Sequence, residues 1–262
     1  MSRDTIKYIA AFTMLLNHIG YIFMDPPAKD ILMGIGYFTA ITMCYFLVEG
    51  YQYTRSKKKY ASRLLLFGLI SQIPYGIAMA KGELITFSHL NMMFTLFLCF
   101  GIIHVYHTVE DHGRRTIYVL VLMAGSLICD WALVAPVYTI LFLHAGADRK
   151  GQVGAFRKAI IFWGILCLLS WFSPSSSTER IAGISEIVAC AGTAEFVSKI
   201  LLGLFINVLV PMVGPVASAI CILHFYNGKR SEHLRTFSKW FFYIFYPAHL
   251  LILGLIRIGF TM

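Results

Sequence analysis

An all-α, polytopic transmembrane helical bundle is the fold class this sequence predicts, and three observations predict it. Of 262 residues, 58% are hydrophobic and only 13% charged. The mean hydropathy is +0.71. Apolar runs recur from residue 6 almost to the last residue. An ordinary soluble domain is about one quarter charged, and no polar stretch here is long enough for a separate soluble domain of at least ~50 residues. Residues 1–262 therefore read as a single integral-membrane domain.

A spanning helix needs about 20 mainly apolar residues. In chain order the candidate spans are 6–24, 31–48, 63–80, 90–108, 116–134, 135–147, 159–172, 200–226 and 240–260. That makes nine, with the N-terminus inside, or ten if one more segment crosses. Asp25-Pro26-Pro27 reads as a loop after a retained first helix, since no small-residue cleavage site follows that run. Segment 135–147 is short and predicts a tight hairpin with its predecessor around Ala135-Pro136. Residues 181–199 carry Glu186, Glu195 and Lys199, which suits an interfacial or partly re-entrant helix better than an ordinary span. Pro211, Gly214 and Pro215 predict a kink in the eighth span, because proline removes a helix hydrogen bond.

The net charge of +9 does not point to nucleic acid, because the basic residues stand between apolar runs and the aromatics lie within them. If the spans alternate, most of the 22 lysines and arginines fall on one side, which the positive-inside rule makes cytoplasmic. A bacterial inner membrane is the expected location. The six cysteines occur singly, without metal-ligand spacing, and read as small core residues; no metal is expected. There is no internal repeat, no Gly-rich phosphate loop and no His-Glu-x-x-His pattern.

Polar residues inside the spans carry the functional signal, since ionisable groups are costly at bilayer depth. At ~1.5 Å per residue, His18 lies roughly 18 Å into the first span and His249 roughly 14 Å into the last, both near mid-membrane. Gln72, Asp130 and Asn207 fall at similar depth, Asn17 precedes His18, and Asn91 with His89 sits at the outer mouth of the fourth span. Such a layer can simply fix packing through interhelical hydrogen bonds. An imidazole is an expensive way to do that, and its ordinary pKa of ~6.5 suits it to general-base work. His104, His107, His144 and His224 lie near the inner ends of their spans and read as interfacial; His112 and His233 are loop residues.

Glu49 opens a loop rich in tyrosine and lysine, Gly50 to Tyr60. As anchor residues these need no ligand. A polyphosphate would also find donors there, in Arg55 and Arg63, and in the second basic loop Asn227-Gly228-Lys229-Arg230.

Six blocks, taken in order, resemble the TraX family: the run from Ile6 through Asn17-His18-Ile-Gly20, Phe46-Leu-Val-Glu49-Gly50 through Arg55, Arg63 through Gln72-Ile-Pro74-Tyr75, Asn91-Met-Met-Phe94-Thr95, Tyr226-Asn-Gly-Lys229-Arg230, and Phe241 through Tyr246-Pro247-Ala-His249. The resemblance covers most of the chain. It implies a membrane acyltransferase, distantly similar to the group that passes an acyl group from cytoplasmic acyl-CoA to an acceptor; the family is named for N-acetylation of a conjugative pilin. By position, His18 and His249 match the family's first-span and C-terminal histidines, and Arg55 and Arg63 match basic positions flanking the inner loop. Two departures stand out. The residue before the first histidine is commonly Asp in the family and is Asn17 here, which can orient an imidazole but not stabilise its charge. Tyr37 through Thr42 replaces the usual Arg and apolar-Pro stretch after Gly36.

The expected activity is transfer of an acetyl or other short acyl group from acetyl-CoA, bound through Arg55, Arg63, Lys229 and Arg230. The acceptor is an amine or hydroxyl, on a small molecule or a protein N-terminus. His18 is the expected general base, with His249 and Asn17 beside it and Gln72, Asn91 and Asp130 lining the substrate cavity. A transporter using the same polar layer, a haem carrier ligated by the two histidines, and an inactive membrane scaffold are the rival classes.

Overall fold

A computed structural model describes residues 1–146, 148–172, 189, 191–192, 195–230 and 235–261. Among the described residues the regular structure is helical, apart from one isolated bridge between Leu90 and Cys129. The helices are α1 (Arg3–Phe23), α2 (Ala28–Gly36), α3 (Phe38–Tyr53), α4 (Lys57–Met79), α5 (Met92–Thr108), α6 (His112–Gly125), α7 (Val134–Ala145), α8 (Arg149–Trp171), α9 (Glu195–Phe225) and α10 (Arg235–Thr261). Their starts follow local chemistry. Ser2, Ser56, Asn91, Asp111 and Asp148 each accept a backbone N–H of the first turn they precede, satisfying a donor that the helix leaves free.

Six segments among the described residues are long and apolar enough to cross a membrane: α1, α2 together with α3 (Ala28–Tyr53), α4, α8, α9 and the Trp240–Phe260 part of α10. The chain has the character of an integral membrane protein, and side chains such as Phe12, Leu69, Ile73, Leu120 and Ile165 present bare apolar surface outward. The nine to ten spans expected from the sequence are not confirmed by these six, because other apolar helices among the described residues are shorter. Helix α5 has 17 residues and α7 only 12. The expected span 116–134 is not one helix: α6 stops at Gly125, a 3-10 turn follows at Ser126–Ile128, and Trp131 and Leu133 both take φ of 58°. Such a backbone is strained for non-glycine residues. The expected interfacial helix over 181–199 lies mostly outside the described residues, but Glu195 and Lys199 open α9 and pair at 3.8 Å. Cys190 lies outside as well; the other five cysteines are free thiols, four of them buried.

Helix α3 runs through the middle, its span the most enclosed of the six, and Ile41, Cys44 and Phe46 pack there with Cys99, Ile103 and Phe156. One end of the bundle gathers the N-termini of α1, α4, α6 and α8 with the C-termini of α3, α5, α7 and α9. The Tyr51 hydroxyl and His104 Nδ1 meet there at 2.9 Å, and Arg3 N–H donates to Lys229 O at 2.9 Å. This is the basic end. At the other end Arg257 Nη2 donates to Glu83 O at 2.9 Å, pinning α10 to the α4–α5 loop.

The prolines of α9 stand beside two local irregularities. Before Pro211 the helix widens to a π-turn over Phe205–Leu209, with Val210 N–H reaching Phe205 O. Pro215 has no N–H to offer Pro211 O, and the indole N–H of Trp163 donates to that carbonyl instead, at 3.0 Å. The freed carbonyl thereby holds Trp163. Helix α9 approaches α2 so closely that a Cβ on Gly34 would stand 2.9 Å from Val210 Cγ1, the small-residue contact expected between membrane helices.

Candidate functional site

His18 on α1 and His249 on α10 meet in the bundle, His18 Nδ1 lying 2.9 Å from His249 Nε2 with the rings 5.1 Å apart. The protons of the neutral pair follow from its other partner. His249 Nδ1 lies 2.7 Å from the carbonyl of Phe245, and a carbonyl only accepts, so His249 Nδ1 carries the hydrogen. His249 Nε2 is then an acceptor, and His18 Nδ1–H donates to it. The lone pair remains on His18 Nε2, which has no hydrogen-bond partner among the described residues. Phe245 stacks on the far ring at 4.7 Å and 11° and holds its plane.

His18 lines a cavity of about 470 Å³ together with Asn17, Tyr75, Asp130 and Tyr246. One wall is aromatic: Tyr37, Trp131 and Trp163 all face it, Trp131 stacked on Trp163 at 5.2 Å and Tyr37 edge-on to both at 5.5 and 5.0 Å. The loop that carries Asp130 and Trp131 is held by Asp130 N–H to Leu90 O at 2.7 Å and by Thr95 Oγ1–H to Asp130 O at 2.5 Å. Its strained φ values present both side chains to the cavity.

Three expected residues have other tasks. Asn17 lines the cavity but turns its amide to Met33 O at 3.1 Å and packs against Gly36, so it ties α1 to α2, and orienting His18 falls to His249. Gln72 and Asn91 do not line the cavity. Gln72 Oε1 accepts from Asn91 N–H and Nδ2–H at 3.0 and 2.8 Å, its Nε2 donates to His89 O, and Asn91 Oδ1 caps α5. They are a correction: the bonds of buried Asn91 and half-buried Gln72 fix the entry to α5 and, through Asn91 Nδ2–H to Gly68 O at 2.8 Å, tie it to α4. Asn91→Ala is expected to cost about 1–3 kcal/mol of stability, since it removes a cap and strands buried groups; thermal unfolding in detergent measures it. Asn207, counted in the polar layer, donates to Gly203 O at 2.9 Å on its own helix.

At the basic end a cavity of about 360 Å³ is lined by Arg55, Arg63 and Arg230 as expected, and also by Arg3, Lys7 and Asp4. Lys229 is the exception. Its side chain is exposed and does not line the cavity, while its backbone N–H donates to Asn227 Oδ1 and its carbonyl accepts from Arg3. Arg3 pairs with Glu49 at 2.8 Å and Arg230 with Asp4 at 3.9 Å. Lys7 lies over the rings of Phe46 and Phe242 at 5.8 and 5.5 Å, and Arg63 over Tyr60 and Tyr243 at 5.9 and 6.0 Å. The lining carries an excess of positive charge suited to a multiply charged anion. Sequence reading counted Arg3 and Lys7 only as orientation signals; their position at the start of a span was the available clue.

The two cavities lie end to end along the same four helices. Lys7 and His18 share α1, Met43 and Ala40 share α3, Met93 and Met92 share α5, and Phe242 and Tyr246 are one turn apart on α10. The side chains of Met14, Met43, Met92 and Met93 line the adjoining regions, a flexible apolar seam between base and cations. Among the described residues no group of three or more His, Cys, Asp or Glu is placed to hold a metal.

Comparison with known proteins yields two matches. The family profile described as TraX protein matches residues 2–257. The probable fimbrial assembly protein FimC, serogroup H1, of Dichelobacter nodosus is 27% identical over 260 residues, covering 96% of this chain and 94% of the relative. No solved structure matches.

Proposed function

The chain belongs to the TraX family, and from that premise we propose that it is a membrane acyltransferase that moves an acetyl group from acetyl-CoA to an amine or hydroxyl acceptor. The observation that carries this reading is the alignment of a cation-lined cavity with a cavity holding a histidine whose free nitrogen is defined by its neighbours. The donor's phosphates sit among Arg55, Arg63, Lys7 and Arg230, and its arm passes the methionine seam to bring the thioester to His18. His18 Nε2 takes the proton of the acceptor N–H or O–H as the acceptor atom attacks the thioester carbon. The carbon–sulfur bond breaks, and the proton passes from His18 to the departing sulfur. Positive charge on His18 is shared with His249 through the Nδ1–Nε2 bond, and beyond it with the Phe245 carbonyl.

The basic end is the cytoplasmic side in this reading, where acyl-CoA is made, which puts the N-terminus inside and the protein in a bacterial inner membrane. Nine traverses then require α5, α6 and α7 to cross as short helices. In support, backbone groups freed by the turn after α6 find partners within the protein, as lipid demands: Leu90 N–H donates to Ile128 O at 2.8 Å, and Leu133 N–H to Ser126 Oγ at 3.1 Å. The acceptor enters from the other end, past Ser88 and His89. The fimbrial name of the relative favours an acceptor on a fimbrial component.

Membrane vesicles carrying the chain, supplied with acetyl-CoA labelled in the acetyl group, test the proposal. Label is expected in a protein or small-molecule fraction with the wild-type chain and not with His18→Ala. Equal labelling by both, or none by either in vesicles prepared from cells that hold the fimbrial components, counts against it.

A further inference from the structure

A second cavity, of about 300 Å³, lies beside the basic one, and Tyr53 lines both. The partition is built from three side chains: Glu49 holds Arg3 at 2.8 Å through one oxygen and accepts the Tyr226 O–H at 2.6 Å through the other. The charges on the two sides differ. Among the described residues the basic cavity collects five cations against one carboxylate, Asp4, whereas the charged lining of its neighbour is Glu49 and Arg149. Phosphate belongs to the first and a neutral group to the second.

We propose that the second cavity is a nucleobase site that takes the purine of the donor whose phosphates occupy the basic cavity; this rests on the acyl-CoA reading above. Two features select a planar heteroaromatic ring. Tyr53 is 70% exposed although it stands inside a concave surface, with the Arg3 guanidinium 5.5 Å from its ring centroid, and it offers a ring on which a base can stack. Tyr226, fixed by its bond to Glu49 and edge-on to Phe46 at 5.5 Å, stands near it on the same lining. The carboxamides of Gln52 and Gln152 line the cavity too, and neither makes a side-chain hydrogen bond among the described residues. A carboxamide presents a donor and an acceptor side by side, the pattern that pairs with the adjacent donor and acceptor on an adenine edge. Gln52 and Tyr53 are consecutive at the end of α3, and Arg55 of the basic cavity follows two residues later, so one short segment spans base and phosphate sites.

The test compares two probes on the purified full chain in detergent: coenzyme A, and 4′-phosphopantetheine, which lacks the adenosine and two of the three phosphates, so that the variants and not the probes alone isolate the base. Wild type is expected to bind coenzyme A more tightly. Tyr53→Ala is expected to weaken coenzyme A by roughly 5- to 150-fold, the effect of losing one stacked base, and the double variant Gln52→Ala with Gln152→Ala by a similar factor, the effect of losing two hydrogen-bonding partners. Affinity for 4′-phosphopantetheine should not change, and Tyr53→Phe should bind like wild type. A wild type that binds both probes equally, or variants that leave coenzyme A untouched or weaken both probes alike, overturn the nucleobase site while leaving the acyl-CoA reading standing. A wild type that binds neither overturns both.

Discussion

Replacing His18 with alanine is expected to lower acetyl transfer by about 100- to 10,000-fold, the usual cost of removing a general base, with coenzyme A binding unchanged because the cations lie elsewhere. His18 Nε2 is the ring nitrogen of the pair left with its lone pair, and both other imidazole contacts serve to define it. The same geometry separates the two histidines. His249→Ala removes the acceptor for His18 Nδ1–H and frees the tautomer, so a smaller loss of roughly 10- to 100-fold is expected, in line with other residues that orient a reacting group. His249→Gln restores an acceptor at about that position and should recover part of the rate. Rates measured at saturating acetyl-CoA distinguish the roles: a His249 variant slower than His18→Ala would reverse their assignment.

The second large effect concerns the donor. Arg55→Ala and Arg63→Ala should each weaken coenzyme A by roughly 10- to 150-fold, since a hydrogen bond to a charged group contributes ~1.5–3 kcal/mol. Lys7→Met belongs with them, although Lys7 lies within the first span, because its ammonium faces the same cavity over Phe46 and Phe242. Each variant should also flatten the dependence of affinity on salt. Lys229→Ala is expected to change little, as its side chain stands outside the cavity. Titration calorimetry at two ionic strengths reads both quantities.

Much of this site was legible from depth along helices. Counting residues from the ends of the spans put His18 and His249 at one level, and the structure joins them by a hydrogen bond. The same count also grouped Gln72 and Asn207 with them. Depth fixes a level in the membrane but not a direction around each helix, so it could not separate Asp130, which faces the cavity, from Gln72, which is consumed in capping α5. The aromatic wall was not legible at all. Tyr37, Trp131 and Trp163 lie far apart in sequence, and in apolar runs such rings read as core or interface residues. What brings them together is backbone irregularity: the strained φ at Trp131 and the carbonyl that Pro215 leaves for Trp163. The prolines announced a kink without saying which side chain would answer it. The expected single span over 116–134 was misread for a related reason, since its hydropathy is continuous across a turn that only the fold reveals.

A structure of the purified chain with coenzyme A bound tests the central claim, one path from cations to base, most directly. The account predicts phosphate density among Arg55, Arg63 and Lys7, and the sulfur past Met43 and Met93 in the cavity of His18. Coenzyme A bound on another surface, or seated at the basic end with its sulfur turned away from the methionine seam, would contradict it.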